Sequence, residues 1–148
     1  TEPREWYLHS GGRANTVVGD GGLSPARPDA HEPADTYTHD PRYPVPTKGG
    51  PNCCQPEIIP WGPYDQRDVE MRPDVLVYSS EPLEQDLVVA GPITVVLYAS
   101  TDGPDTDWTA KLVDVRPSGF AMNLCDGIVR ARWRDGGTEP RLLEAGRV

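Results

Sequence analysis

Along the second half of the chain apolar residues recur at every second position, the spacing of strands with one covered face. The alternation is plainest in Asp107-Trp108-Thr109-Ala110-Lys111-Leu112-Val113-Asp114-Val115, where Trp108, Ala110 and Leu112 oppose Thr109, Lys111 and Val113. It returns from Ile128 to Arg134, with Val129, Ala131 and Trp133 on one face and Arg130, Arg132 and Arg134 on the other. Three further runs, Asp74 to Ser80, Asp86 to Ala90 and Ile93 to Thr101, are rich in β-branched residues and are set apart by Glu81-Pro82 and Gly91-Pro92. Phe120 to Leu124 returns the chain after the Pro117-Ser118-Gly119 turn. This pattern predicts about five or six short strands with turns at roughly eight- to twelve-residue spacing. Parallel pairing would need helical crossovers, for which there is no periodicity, so the expected class is all-β, an antiparallel sandwich or barrel.

Residues 1 to 72 read differently. Ser10-Gly11-Gly12, Gly19-Asp20-Gly21-Gly22, Asp40-Pro41, Pro44-Val45-Pro46 and Lys48-Gly49-Gly50-Pro51 are turn chemistry, in which glycine supplies positive φ and proline fixes φ. Seventeen prolines and fifteen glycines, most of them before position 75, make long helices there untenable. Interspersed Trp6, Tyr7, Leu8, Tyr37, Tyr43, Ile58, Ile59, Trp61 and Tyr64 are more apolar than a solvated linker requires, so this half is expected to be an ordered, loop-rich arm packed on the strands. At 148 residues the chain has the size of one domain, with an arm at 1–72 and strands at 73–148. Pro140 to Val148 reads as the approach to another strand. A truncated sandwich is therefore expected, with an uncovered sheet edge along which a second copy could pair.

A net charge of −9 disfavours nucleic acid and anionic membrane surfaces as partners, because both are bound chiefly through Lys and Arg. There is no apolar run of about eighteen residues and no charged-then-apolar leader, so neither a membrane span nor a secretion signal is expected. Three cysteines make an odd count, which argues against a closed disulfide framework and favours a reducing, cytoplasmic setting.

The search for chemistry yields candidates with ordinary explanations beside them. No G-x-S-x-G nucleophile elbow is present. His9, His31 and His39 all fall in the loop half, where histidines are more often surface residues than catalytic bases. Cys53 and Cys54 are adjacent, whereas a tetrahedral zinc site needs separated pairs; a vicinal disulfide is strained, and no neighbouring base would activate either thiol. Small buried apolar residues are the expected role. Asp102, Asp105 and Asp107 could collect oxygen ligands for calcium, although the terminal glutamate of an EF-hand is lacking and aspartates capping backbone donors in a hairpin explain the same letters. The arginine ladder could hold a phosphate, or be paired across strands with carboxylates such as Asp114 or Glu144. No cofactor is called for, and no self-sufficient catalytic constellation emerges.

Several separate motifs occur in a familiar order: Asp35-Thr36-Tyr37, Asp40-Pro41, Pro44-Val45-Pro46-Thr47-Lys48-Gly49-Gly50, Gly62-Pro63-Tyr64-Asp65-Gln66-Arg67, Asp74-Val75-Leu76-Val77-Tyr78, Glu81-Pro82-Leu83, Asp105 to Val115 and Cys125-Asp126-Gly127-Ile128-Val129-Arg130. Together they resemble the C-terminal domain of the X-Pro dipeptidyl-peptidase and cocaine esterase family, with the α-amino acid ester hydrolases among its relatives. The resemblance implies a jelly-roll β-sandwich of the galactose-binding-domain-like kind, attached to an α/β-hydrolase catalytic domain that holds the Ser, Asp and His. No catalytic residue is thereby carried onto this chain. It also implies that Pro51, Asn52, Cys53, Cys54 and Trp61 could wall the substrate entrance. A free-standing β-sandwich binding module for carbohydrate is the alternative. It would use exposed aromatic platforms among Trp6, Trp61, Trp108 and Trp133, of which the alternation assigns Trp108 and Trp133 to the core.

Overall fold

A computed structural model describes residues 2–52 and 55–148. In chain order the elements are β1 (Tyr7–His9), β2 (Gly22–Ser24), a single-turn helix α1 (Arg67–Glu70), β3 (Asp107–Val115), β4 (Ala121–Arg130) and a 3-10 turn over Ala131–Trp133. The class is all-β: both sheets among the described residues are antiparallel pairs, β1 with β2 and β3 with β4.

The β3–β4 hairpin follows from the sequence pattern. Arg116 and Gly119 close its turn, with Arg116 N–H donating to Phe120 O (2.9 Å) and Gly119 N–H to Arg116 O (2.8 Å). Leu112 is paired with Cys125 but Val113 with Asn123, so Leu124 is an extra residue, a β-bulge in β4. The free edge of β4 is covered by residues 64–66. Gln66 N–H donates to Ala121 O (2.9 Å), Asn123 N–H donates to Tyr64 O (3.3 Å), and Asp65 bridges to Met122. The loop arm is thus pinned along the edge of β4 by an isolated bridge and its flanking backbone bonds.

The covered interior is small and unusually polar. Ala14, Val69, Ala121 and Ala131 are its buried apolar residues, joined by buried Gln66, Glu70 and Asn123, and Gln66 is the largest side chain that is fully buried. Burying an amide requires that its donors and acceptor be matched. Gln66 Nε2 donates to Lys48 O (2.9 Å) and Tyr64 O (3.1 Å), while Oε1 accepts from Lys111 Nζ (2.9 Å). Lys111 lies on the face of β3 that its alternation marks as polar, and Gln66 covers it. That is why the strict in-out pattern of β3 fades after Ala110.

Several expected strands take another form. Residues 74–80 do not make a continuous strand. Val77 N–H donates to Ala14 O (2.8 Å), Ser79 N–H to Gly21 O (3.1 Å), and Thr16 and Leu23 N–H donate back to Val75 O and Ser79 O (both 2.9 Å). The partner chain crosses from 14–16 to 21–23 through a turn, so pairing is broken into isolated bridges. Residues 86–90 and 93–101 form no strand, and of them only Thr101 takes part in a backbone–backbone hydrogen bond among the described residues, accepting from Gly146 N–H (2.8 Å). The strand expected at 120–124 runs on to Arg130, and the one expected at 128–134 ends there, where the chain coils into the 3-10 turn. Trp133 is consequently 41 % exposed and Val129 42 %, not core residues. The loop-rich half also contains the short elements β1, β2 and α1.

Replacing Gln66 by Leu keeps the volume but leaves Lys111 Nζ and two carbonyls without their partner. Leaving buried polar groups unmatched costs about 1–3 kcal/mol each. We therefore expect urea unfolding of Gln66→Leu to show a stability loss of roughly 2–4 kcal/mol. A loss below about 0.5 kcal/mol would show that this amide does not hold the two halves together.

Candidate functional site

The stretch singled out for the substrate entrance is built as a loop with a pinned neck. Gly50 N–H donates to Gly62 O (2.8 Å) and Gly62 N–H to Gly50 O (3.0 Å), so residues 51–61 leave and return at one point. Both necks need glycine, as Gly49, Gly50 and Gly62 have φ of 69°, 93° and 77°, where a Cβ is strained. Gly49 is also held close to the Gly62 carbonyl and the Tyr64 side chain, leaving no room for a methyl group. Asn52 donates from Nδ2 to Gly49 O, tying the first turn of the loop to its neck. Near the tip, Ile58 and Ile59 N–H both donate to Gln55 O (3.0 Å). Pro51 and Trp61 are exposed, Trp61 at 53 %, and Ile58 is 68 % exposed. Cys53 and Cys54 lie outside the described residues.

Beside the neck is an open cleft of about 350 Å³ between Gly50, Pro51, Pro63, Leu124, Cys125 and Asp126. Asn123 forms its floor and accepts Tyr64 N–H at Oδ1 (2.6 Å). Burial pushes the Lys111 ammonium below the ordinary lysine range, and the Asp126 carboxylate opposes that shift. Asp65 anchors the other end of the segment. The Arg67 guanidinium, donating to it from Nε (2.8 Å), lowers its carboxyl to about 2, and Ala121 N–H adds a further bond (3.3 Å). These groups fix the loop. None is a nucleophile paired with a base.

A second cleft, about 440 Å³, lies between Thr38, Asp40, Tyr43, Arg72, Pro73 and Asp74. Its charges are matched internally: Arg72 donates to both oxygens of Asp74 (2.8 and 2.7 Å), and Arg42 to Asp40.

Other sequence candidates resolve into paired groups. Arg130 forks onto Asp107 (2.8 and 2.9 Å), and Arg132 reaches Asp105 at 2.7 Å while its N–H donates to the same carboxylate (3.0 Å). The angle at Arg132 Nε is poor for a hydrogen bond, so that contact is mainly electrostatic. Arg134 donates to the Ala131 and Arg141 carbonyls. Two of the three arginines of the ladder are thus paired with carboxylates, as expected, but with Asp107 and Asp105 instead of Asp114 or Glu144. Two of the three calcium candidates are therefore occupied by arginine, and among the described residues no group of three His, Cys, Asp or Glu is placed to hold a metal. No helix among the described residues is long and apolar enough to cross a membrane.

Two clusters escaped the sequence reading. Asp35 accepts Ser10 Oγ (2.7 Å), Ala14 N–H (2.8 Å) and Tyr78 Oη (2.7 Å), joining three distant segments. Burial pushes its carboxyl upward, but these donors outweigh burial and hold it below the ordinary range. His9 stands between Glu32 (Nδ1 to Oε1, 2.9 Å) and both Ser24 Oγ (3.1 Å) and Ala26 O (3.0 Å) at Nε2. The line Ser24–His9–Glu32 has triad-like spacing. Its Nε2 nevertheless faces a carbonyl that can only accept, so that nitrogen carries a proton and cannot take one from Ser24. It is a clamp holding the 24–32 loop on β1. The partners in these clusters lie 15 to 43 residues apart in sequence, so no local motif announces them.

A family model for the X-Pro dipeptidyl-peptidase C-terminal non-catalytic domain matches residues 1–148. A cocaine esterase from Rhodococcus sp. (strain MB1 Bresler) is 46 % identical over 143 residues, covering 97 % of this chain and 24 % of the esterase. The chain belongs to the X-Pro dipeptidyl-peptidase C-terminal non-catalytic domain family. It spans about a quarter of the length of that curated relative.

Both ring nitrogens of His9 face acceptors, so the clamp is complete only with an imidazolium. The Glu32 carboxylate raises the His9 pKa above 6.5, and His9 lowers that of Glu32 below 4.5. A raised histidine pKa gives stability present below 6.5 and lost as pH climbs through the folded value; a depressed glutamate pKa gives stability present above 4.5 and lost as pH falls through the folded value. Amide exchange across 25–34, corrected for intrinsic rates, should be slowest between these limits and accelerate above them. Glu32→Gln should return the His9 titration, followed by NMR, toward its ordinary value. A His9 that titrates identically with and without Glu32 would refute the clamp.

Proposed function

We propose that this chain is the non-catalytic C-terminal module of an α/β-hydrolase-type serine hydrolase, an X-Pro dipeptidyl-peptidase or an ester or amide hydrolase. In that enzyme it packs on the catalytic domain as a jelly-roll sandwich, and its 51–61 loop shapes the substrate entrance. The observation that carries this reading is the pinned neck: two backbone bonds between Gly50 and Gly62 project exposed Ile58 and Trp61 from a fixed base. Apolar side chains held outward on a pre-ordered loop limit the entropy lost when they contact a substrate or a neighbouring domain. Membership of a non-catalytic family supports the absence of a nucleophile from this role. The esterase similarity supports a carbonyl ester among the substrates of the whole enzyme.

In the intact hydrolase, Trp61→Ala and the double change Cys53→Ser with Cys54→Ser are expected to shift the ratio of kcat/KM between an ester and an X-Pro amide by about tenfold, equivalent to ~1.4 kcal/mol. The thermal midpoint is expected to change little, because Trp61 is exposed. An unchanged ratio accompanied by a large loss of stability would make the loop a packing element and remove it from the entrance.

A further inference from the structure

Glu70, the last residue of α1, is 8 % exposed, yet no hydrogen bond or ion pair among the described residues reaches its carboxylate. Burial first, and the negative charge of Asp65 second, push this carboxyl above the ordinary glutamate range. The cations closest to it in sequence are taken: Arg67 by Asp65 and Arg72 by Asp74. Asp68 of the same helix turn holds Lys48. The turn bonded to it, residues 15–19, has no charged side chain. A buried carboxylate without donors or a cation is costly, and breaking a buried pair by removing one partner is strongly destabilising.

The same turn is strained. Thr16 is β-branched and has a φ of 66°, a left-handed conformation that such residues rarely adopt. It is held there by Thr16 N–H donating to Val75 O (2.9 Å), Val17 N–H to Glu70 O (2.8 Å), Gly19 N–H to Thr16 O (3.1 Å) and Val18 N–H to Thr16 Oγ1 (3.3 Å). Strain of this kind persists where the surroundings over-determine it, often at contact sites. Here it fastens Val17 to the backbone of Glu70 and leaves Val18 79 % exposed, with Met71 exposed next to Glu70 in the chain. Exposed apolar side chains beside a buried carboxylate suit a long basic side chain, whose methylenes cover the apolar groups while its cationic end meets the acid.

We propose that Glu70 is an ion-pair socket for one Lys or Arg of the catalytic domain of the same hydrolase, entered across Val17, Val18 and Met71. The proposal rests on the reading of this chain as a module that packs on such a domain. Charge complementarity selects a cation, and a domain joined in one polypeptide presents it at high effective concentration. The matched region fills only 24 % of the related esterase, so most of that polypeptide lies beyond it. A second copy would instead bring another net charge of −9 to the contact.

The test uses the intact hydrolase and the half-life of its thermal inactivation at neutral pH. A paired Glu70 has its folded pKa below 4.5, so its contribution is fully present at neutral pH, and Glu70→Gln should inactivate about tenfold faster. A Glu70 buried without a cation keeps its pKa raised, its contribution is lost as pH rises, and Glu70→Gln should then inactivate more slowly. Val18 replaced by p-benzoylphenylalanine, with Glu70 retained, identifies the neighbour by photo-crosslinking and decides the matter even where Glu70→Gln fails to fold. We expect an intramolecular crosslink to a peptide of the catalytic domain that contains Lys or Arg. Equal or slower inactivation of Glu70→Gln, no crosslink, a crosslink to a second enzyme molecule, or one to any other peptide would each overturn the socket while leaving the module reading intact. A natural polypeptide that holds no serine hydrolase domain would overturn the module reading itself, and the socket with it.

Discussion

The buried amide of Gln66 is the joint on which the two halves of this chain depend. Few large apolar side chains are covered, so hydrophobic burial alone does not fix the long arm against the hairpin. Gln66 does so by reading both halves at once: Lys48 and Tyr64 from the arm, Lys111 from β3, while its own backbone N–H bonds Ala121 of β4. An amide in that position demands a complete set of partners, which makes the arrangement specific as well as stable. It also sets the N-terminal boundary of α1, where Gln66 precedes the helix but offers no side-chain cap because its side chain is engaged elsewhere.

From that joint the position of the 51–61 loop follows. Lys48 lies just before the paired glycines of the neck, and Tyr64 just after it, so anchoring both carbonyls to one side chain brings the ends of the loop together. The Gly50–Gly62 bonds then close it, and Asn123, lying beneath, holds Tyr64 from the hairpin side. Rigidity at the base and exposure at the tip come from separate residues. The same division appears at the N-terminal end, where Asp35 gathers Ser10, Ala14 and Tyr78 while neighbouring loops carry the exposed polar groups.

Charge plays a local part despite the acidic total. Arg67, Arg72, Arg130 and Arg132 each take a carboxylate close in sequence or directly across the hairpin. Most of these pairs are partly exposed and contribute little individually. Their effect is to occupy the groups that could otherwise hold a phosphate or a metal. Large apolar side chains also stay exposed: Ile58 and Trp61 on the loop, and Val88, Val96 and Tyr98 on the 82–100 segment. A surface of this kind is suited to contact with another part of a larger body.

The sequence by itself determined the β3–β4 hairpin, its Pro117-Ser118-Gly119 turn, the all-β class, the lack of a nucleophile elbow and the family, because each is written within a short window or in the order of several windows. The family resemblance also singled out Pro51, Asn52, Cys53, Cys54 and Trp61 as candidates for one wall of the substrate entrance. Only the tertiary structure decided which carboxylates meet Arg130 and Arg132, that Gln66 is buried, that His9 meets Glu32, and that 74–80 pairs in fragments while 86–98 stays unpaired. Periodicity reports that a residue has a covered face, and a strand that it wants neighbours; neither reports which distant segment supplies them. That choice rests on closing loops tens of residues long and on whether a matching edge is present, and both are properties of the folded chain as a whole.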